Sequence, residues 1–227
     1  MKEVLLCIAA LGLGACTPPL APAANAMEWN SSHSMGCMMM KECVDGVKLV
    51  KSIDDIELYQ DKDYSLVAEE FNEFASILTD VGVEVYISPS RYFPKSTRGV
   101  YYTKGNNIFL NASLIENART LITVMRHEAW HTVQDCMAGE IDNDFIAIVH
   151  DPKEVPEFLA EIATAAYTDA SRSNSLPWEK EAYWAGHRAG MTLDALKACR
   201  AGNMWEKYPP TPATKEYLMK EGFIKPK

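Results

Sequence analysis

The chain has 227 residues, 48% of them hydrophobic and 23% charged, with a formal net charge of −9. That length suffices for one sizeable domain with its own core, and the composition excludes a disordered chain. No run of Lys and Arg is long enough to follow a phosphate backbone, so nucleic acid is not an expected partner.

"MKEVLLCIAALGLGAC" opens with one lysine and continues as an apolar run from Val4 to Ala15. The run is too short to span a bilayer, which takes about 20 helical residues. It suits the apolar core of an export signal, so the protein is expected outside the cytoplasm. Two processing sites compete. "LGAC" (Leu13–Cys16) resembles the bacterial lipobox, in which Cys16 would be lipidated and anchor the protein to a membrane. "ANA" (Ala24–Ala26) resembles an ordinary small-x-small cleavage site, after which Met27 would begin the mature chain. "TPPLAPAANA" is then a flexible tether or the end of the signal, and residues 27–227 form the folded part.

Six cysteines are present, of which Cys7 and Cys16 fall in the signal. Cys37, Cys43, Cys136 and Cys199 remain, an even number that implies two disulfides in an exported protein. Three pairings are open and sequence alone does not choose among them. The expected one is a local Cys37–Cys43 loop with a long-range Cys136–Cys199 bridge. "CMMMKEC" could suggest a soft-metal site, but three adjacent methionines on a helix point three ways.

Residues 27–45 read as irregular, with "WNSSHSMG" as loop and His33 a surface histidine. Residues 63–81 read as an amphipathic helix, with Val67, Phe71, Phe74 and Leu78 at helical spacing and Gly82 as its stop. "VEVYIS" (Val83–Ser88) is a strand. "RGVYYT" (Arg98–Thr103) and "IFLNA" (Ile108–Ala112), joined by the turn "KGNN", read as a hairpin. From Ser113 the pattern is helical. One helix ends near Gly139, a second runs from about Glu154 to Ala170, and a third begins around Pro177, which suits a first turn. A fourth spans Thr192, as N-cap, to about Ala201. "YPPTP" links to a short last helix. The fold class is therefore α+β: a small, mostly antiparallel sheet, then a motif helix and a helical C-terminal half.

The motif is "VMRHEAWHTVQD" (Val124–Asp135). Residues four apart share a helix face, so His127 and His131 can aim two imidazoles at one point, with Glu128 beside them. This is H-E-x-x-H, two metal ligands and a general base. Ile122, Met125, Ala129 and Val133 form an apolar stripe, and Leu121, Val124 and Trp130 add apolar surface elsewhere. The helix should be largely buried, and buried histidines and glutamates need partners. A metal would satisfy them; so would carbonyls or carboxylates. Gln134 or Asp135 could orient an imidazole from behind.

"LITVMRHEAWHTVQDCMAG" (Leu121–Gly139) resembles the active-site helix of zincin-type zinc metallopeptidases, and the preceding hairpin matches their order of sheet, then helix. The metzincin extension is absent, because Met137, Ala138 and Gly139 follow the second histidine and the next histidine is His150. The resemblance is thus to the gluzincin branch, and it covers roughly residues 83–190. It implies a minimal zincin-like domain that binds Zn2+, with a glutamate on a later helix as third ligand. "LPWEKEAYWAG" (Leu176–Gly186) resembles the E-x-E-A pattern of small gluzincin-like proteins, where the glutamate before the alanine is the ligand, here Glu181. Glu161 competes, as a lone acid in the apolar stretch "FLAEIATAAY", and Glu157 shares roughly its face. Glu179 and Glu181 equally suit a solvated helix N-terminus favoured by the dipole. Tyr183 and His187 are the candidates for the oxyanion-stabilising residue that such peptidases carry.

The expected activity is peptide-bond hydrolysis in an exported protein, with peptide or protein substrates. A non-enzymatic exported lipoprotein that keeps the scaffold and binds a partner or the cell envelope is the alternative, and hydrolysis of an envelope amide is a third idea.

Overall fold

In the computed structural model, the described residues are 31–139, 145–167 and 175–225. The export signal over residues 1–26, with Cys7, Cys16 and the Ala24–Ala26 site, lies outside them, as does Met27.

The first described element departs from expectation. Ser31–Met39 is a helix (α1), not a loop. Its sequence has little helical character; packing holds it. Met38 is 1% exposed and clusters with Tyr92, Phe93 and Phe109. The Cys37–Cys43 disulfide then closes the turn behind it, with Cα atoms 5.2 Å apart. Met40 stays exposed, so neighbouring methionines do point apart. Two further short elements follow that the sequence pattern did not lead us to expect, strand β1 (Lys48–Val50) and helix α2 (Ile53–Gln60).

Helix α3 (Ala68–Asp80) buries Phe71, Phe74, Ile77 and Leu78 and stops before Gly82, whose φ of +86° suits glycine. Strands β2 (Glu84–Ser88), β3 (Gly99–Tyr102) and β4 (Asn107–Asn111) complete a four-stranded sheet ordered β1-β2-β4-β3. β3 and β4 form the expected antiparallel hairpin, and β1 pairs antiparallel with β2. β4 inserts beside β2 in parallel, with Tyr86 opposite Phe109, so the sheet is mixed. Side chains alternate across it. Val85, Ile87, Ile108 and Leu110 join the main core under the helices, whereas Phe109, Tyr86 and Val100 face α1. β3 is left as an edge strand.

Helix α4 (Ala118–Met137) carries the motif and starts at Asn117, whose side chain accepts from the Thr120 N–H at 2.9 Å. It lies buried among the sheet and the other helices, with Leu121, Met125, Ala129, Trp130 and Val133 fully enclosed. Arg126 grips Glu70 of α3 through two bonds of 2.7 and 2.6 Å. Helices α5 (Glu157–Ala166), α6 (Leu176–His187), α7 (Met191–Arg200), α8 (Met204–Lys207) and α9 (Pro212–Lys220) follow. α6 has Pro177 in its first turn, as expected. α7 is capped by Gly190, not Thr192; the Thr192 hydroxyl instead donates to the Arg126 carbonyl at 3.1 Å. The Cys136–Cys199 disulfide ties the ends of α4 and α7. Closing a loop of that length removes about 4 kcal/mol of unfolded-state entropy in the chain-entropy account.

Residues 145–150 form an extended strap without regular structure, yet Ala147 and Val149 are buried. Buried backbone must be hydrogen-bonded, and side chains supply much of the need. Trp178 Nε1 donates to the Ile146 carbonyl and Thr214 Oγ1 to the Ile148 carbonyl, both at 2.8 Å. Glu181 accepts from the His150 N–H at 2.6 Å and the Val149 N–H at 3.3 Å.

Candidate metal centre

Helical phase brings His127 and His131 one turn apart on α4, with ring centroids 5.1 Å apart and planes nearly perpendicular. His131 Nδ1 meets Gln134 Oε1 at 2.8 Å. Gln134 cannot rotate to offer its nitrogen instead, because Nε2 donates to Glu181 Oε2 at 2.8 Å and to the Trp178 carbonyl at 3.1 Å. The proton of that bond therefore sits on His131 Nδ1, and Nε2 faces the site. Between Gln134 and Asp135, it is Gln134 that orients the imidazole. Asp135, fully buried, accepts from the Tyr101 hydroxyl at 2.7 Å and so ties the edge strand to α4.

The carboxylate that meets these imidazoles is Glu179, from the first turn of α6. Its Oε2 lies 3.2 Å from His127 Nε2 and 3.7 Å from His131 Nε2. That oxygen is buried and, among the described residues, its contacts are these two ion pairs and no aligned hydrogen bond. Two ligands each about 2.0–2.1 Å from a tetrahedral ion stand about 3.3 Å apart. The two separations from Glu179 Oε2 to the imidazole nitrogens are close to that spacing. His127, Glu128 and His131 also group their ligand-type atoms within 4.8 Å of one another, so this cluster could hold a metal ion.

Charges reinforce the picture. Burial opposes ionisation of Glu179, but the two imidazoles outweigh it and hold the carboxyl well below the usual carboxylate range. Burial likewise resists charge on His131, yet Glu179, Glu128 and Gln134 prevail and lift its pKa to about 9. Glu128 behaves oppositely: burial dominates over both imidazoles and raises its carboxyl.

Glu128 sits beneath the edge strand. The Tyr101 backbone N–H donates to its carboxylate. Gly99 covers it so closely that a Cβ there would lie 2.7 Å from Oε1 and 2.8 Å from Cγ. A cleft of about 440 Å³ opens over His127 and Glu128, bounded by residues 95–99, Tyr167, Tyr183, Gly186 and His187. Tyr183 and His187 are therefore in the same cleft as the motif. His187 Nδ1 is 2.8 Å from the Tyr183 carbonyl, so that nitrogen is occupied.

Glu181 is not where the resemblance put it. It is 1% exposed, and its oxygens are taken by Gln134, the strap N–H groups of Val149 and His150, and His150 Nδ1 at 3.1 Å. Among the described residues, its hydrogen-bonded link to the site runs through Gln134. The physical reason is rotation: residues two apart on a helix point about 200° apart, so one of Glu179 and Glu181 faces α4's histidines and the other the strap. Glu161 and Glu157 are exposed on α5. Sequence reasoning also missed Gly99 and Tyr101, whose roles depend on the edge strand crossing over Glu128. A tight crossing fixes α6: a Cβ at Gly186 would lie 3.1 Å from the Thr123 carbonyl and 3.3 Å from His127 Cβ.

Compared with known proteins, the chain matches no family model, no curated protein and no solved structure.

Proposed function

We propose that the protein is an exported zinc-dependent peptidase of the zincin type, with His127, His131 and Glu179 holding the metal. The observation that carries this reading is the buried Glu179 oxygen, 3.2 and 3.7 Å from two imidazole nitrogens and without an aligned hydrogen bond among the described residues. Two imidazoles and a carboxylate are the donor set of a catalytic zinc site with an open fourth position. Zinc held there would polarise a carbonyl and lower the pKa of a water to about 7.

The chain's own residues supply the rest. Glu128, buried and raised in pKa, takes the proton of the attacking water and hands it to the leaving nitrogen. The Tyr101 N–H holds that carboxylate in place. β3 pairs with β4 through alternate residues, so Gly99 presents its backbone outward along the edge, where an extended peptide adds as a further strand. Tyr183 and His187, both lining the cleft, are the groups available to steady the developing oxyanion. Two disulfides suit an oxidising compartment, which supports export under the signal at residues 1–26, with or without lipidation of Cys16.

The test is metal analysis of the purified protein alongside cleavage of a mixed peptide library, for wild type and Glu128→Gln. Stoichiometric zinc in both, with a loss of about 100-fold or more in the variant's cleavage rate, supports the reading. A wild type that retains no zinc, or equal cleavage by both, removes it.

A further inference from the structure

The cleft beside the motif helix has an electrostatic character opposite to that of the chain. The net charge is −9, yet among the described residues Glu128 is the only acidic one lining this cleft, where it lies under Gly99. Lys95 and Arg98 stand exposed at its rim. Among the described residues, no carboxylate pairs with either of them. Arg91, Arg126 and Arg200, by contrast, are each held by a carboxylate.

These two cations sit on a built turn. The Thr97 N–H bonds back to the Pro94 carbonyl at 3.1 Å. Ser96, between them, has a φ of +70°, a left-handed conformation that costs a non-glycine residue about 1 kcal/mol or more. Asn111, buried on central strand β4, fixes the far side: its Nδ2 donates to the Thr97 carbonyl at 2.8 Å and its backbone N–H to the Arg98 carbonyl at 2.9 Å. The cations are thus carried on an anchored, strained corner that leads directly into Gly99 and the edge strand. The other walls include the small or hydroxyl-bearing residues Gly186, Thr123, Tyr167 and Tyr183.

We infer that Lys95 and Arg98 recognise carboxylate side chains of an acidic peptide laid along β3. The inference rests on the peptidase reading for the fate of that peptide, but not for its binding. Unpaired cations at a cleft mouth in an otherwise acidic protein raise the local concentration of anionic ligands and set the register of a bound strand. Exposed pairs are individually weak and screened by salt, so the two together are expected to give roughly ten-fold discrimination at low ionic strength.

The experiment uses three labelled peptides of one length that differ only in carrying Glu, Gln or Lys at the positions flanking a central apolar pair. Binding is read by fluorescence anisotropy on Glu128→Gln and, as a second non-cleaving form, on chelator-treated wild type. Hydrolysis is read on untreated wild type. The expected result is roughly ten-fold tighter binding of the Glu peptide than the Gln peptide, weakest binding of the Lys peptide, and loss of the difference at high salt. In the Lys95→Glu/Arg98→Glu variant the order inverts. Equal binding of the three peptides, or an order that the double variant does not change, overturns the inference. The two readings separate cleanly. Charge-ordered binding without hydrolysis keeps the acidic ligand and removes the peptidase. Hydrolysis without charge order does the reverse.

Discussion

Glu179 and Glu181 stand two residues apart on one helix, both largely buried, and their surroundings could hardly differ more. Glu181 is saturated, with two backbone N–H groups, an amide and an imidazole nitrogen converging on its oxygens. Glu179 Oε2 faces two imidazole nitrogens as ion-pair partners and, among the described residues, has no aligned hydrogen bond. A buried carboxylate that is fully bonded has done its work by organising the protein. One that meets only two imidazoles, without aligned hydrogen bonds, is organised for something else. Exchanging the two roles by mutation separates them. Glu179→Ala is expected to weaken zinc binding by more than the roughly 10–100-fold that losing an outer partner costs. The fold should survive, as judged by an unchanged circular dichroism spectrum. Glu181→Gln places an amide donor against the donors of Gln134, Val149 and His150, and should cost about 3 kcal/mol of stability in urea unfolding. A Glu181 variant that loses zinc yet keeps its stability would reverse the assignment.

The next effect concerns the edge strand over Glu128. A methyl group at Gly99 would come within 2.7–2.9 Å of the Glu128 carboxyl group, closer than any real contact, and one of the two must move. Displacing a proton-transferring group by about 1 Å costs about 100-fold in rate. Gly99→Ala should therefore cut kcat/KM by about that factor while zinc content stays at wild-type level, because the three atoms nearest the added Cβ all belong to Glu128. If zinc is lost together with activity, Glu128 is itself part of the metal's coordination and Glu179 has a smaller share than argued above.

Much of this architecture is visible in the residues. The stripe through Met125, Ala129 and Val133 marks α4 as buried, the "KGNN" turn marks the β3–β4 hairpin, and Phe71, Phe74 and Leu78 mark α3. The disulfide pairing also came out as expected. What escaped notice depends on distant chain. α1 is held by Met38 entering a cluster of residues more than fifty positions away, and β1 is three residues long, too short to show alternation. The parallel β2–β4 pairing follows from β4 sliding between strands that precede it in sequence. α2 is different, because its signal was present: Asp55 accepts from the Ser52 N–H in a capping box, with Ile53 and Ile56 buried behind it. The choice between Glu179 and Glu181 turns on the rotation of α6 about its axis, which the close crossing at Gly186 fixes. Spacing supplies two candidate carboxylates and no means of choosing the face.

The smallest expected effect tests the same pair of faces through pH, in metal-free protein. His131 has its pKa raised from 6.5 to about 9, so its stabilisation is fully present below pH 6.5 and lost as pH rises through about 9. Glu179 is depressed from 4.5, so its stabilisation is present above pH 4.5 and lost as pH falls. Both contributions coexist between pH 4.5 and 6.5. Glu128, raised by burial, favours the folded state less as pH climbs above 4.5. Chelator-treated protein should therefore lose roughly a few degrees of Tm between pH 6.5 and 9. Zinc-loaded protein should not, because imidazoles committed to a metal have already given up the proton whose loss drives the decline. The saturated face of α6 is common to both forms, so the difference between the two melting profiles isolates the Glu179 side. Parallel profiles over that range would mean that metal and proton do not compete for His131, and Glu179 would then lose its claim to face a ligand.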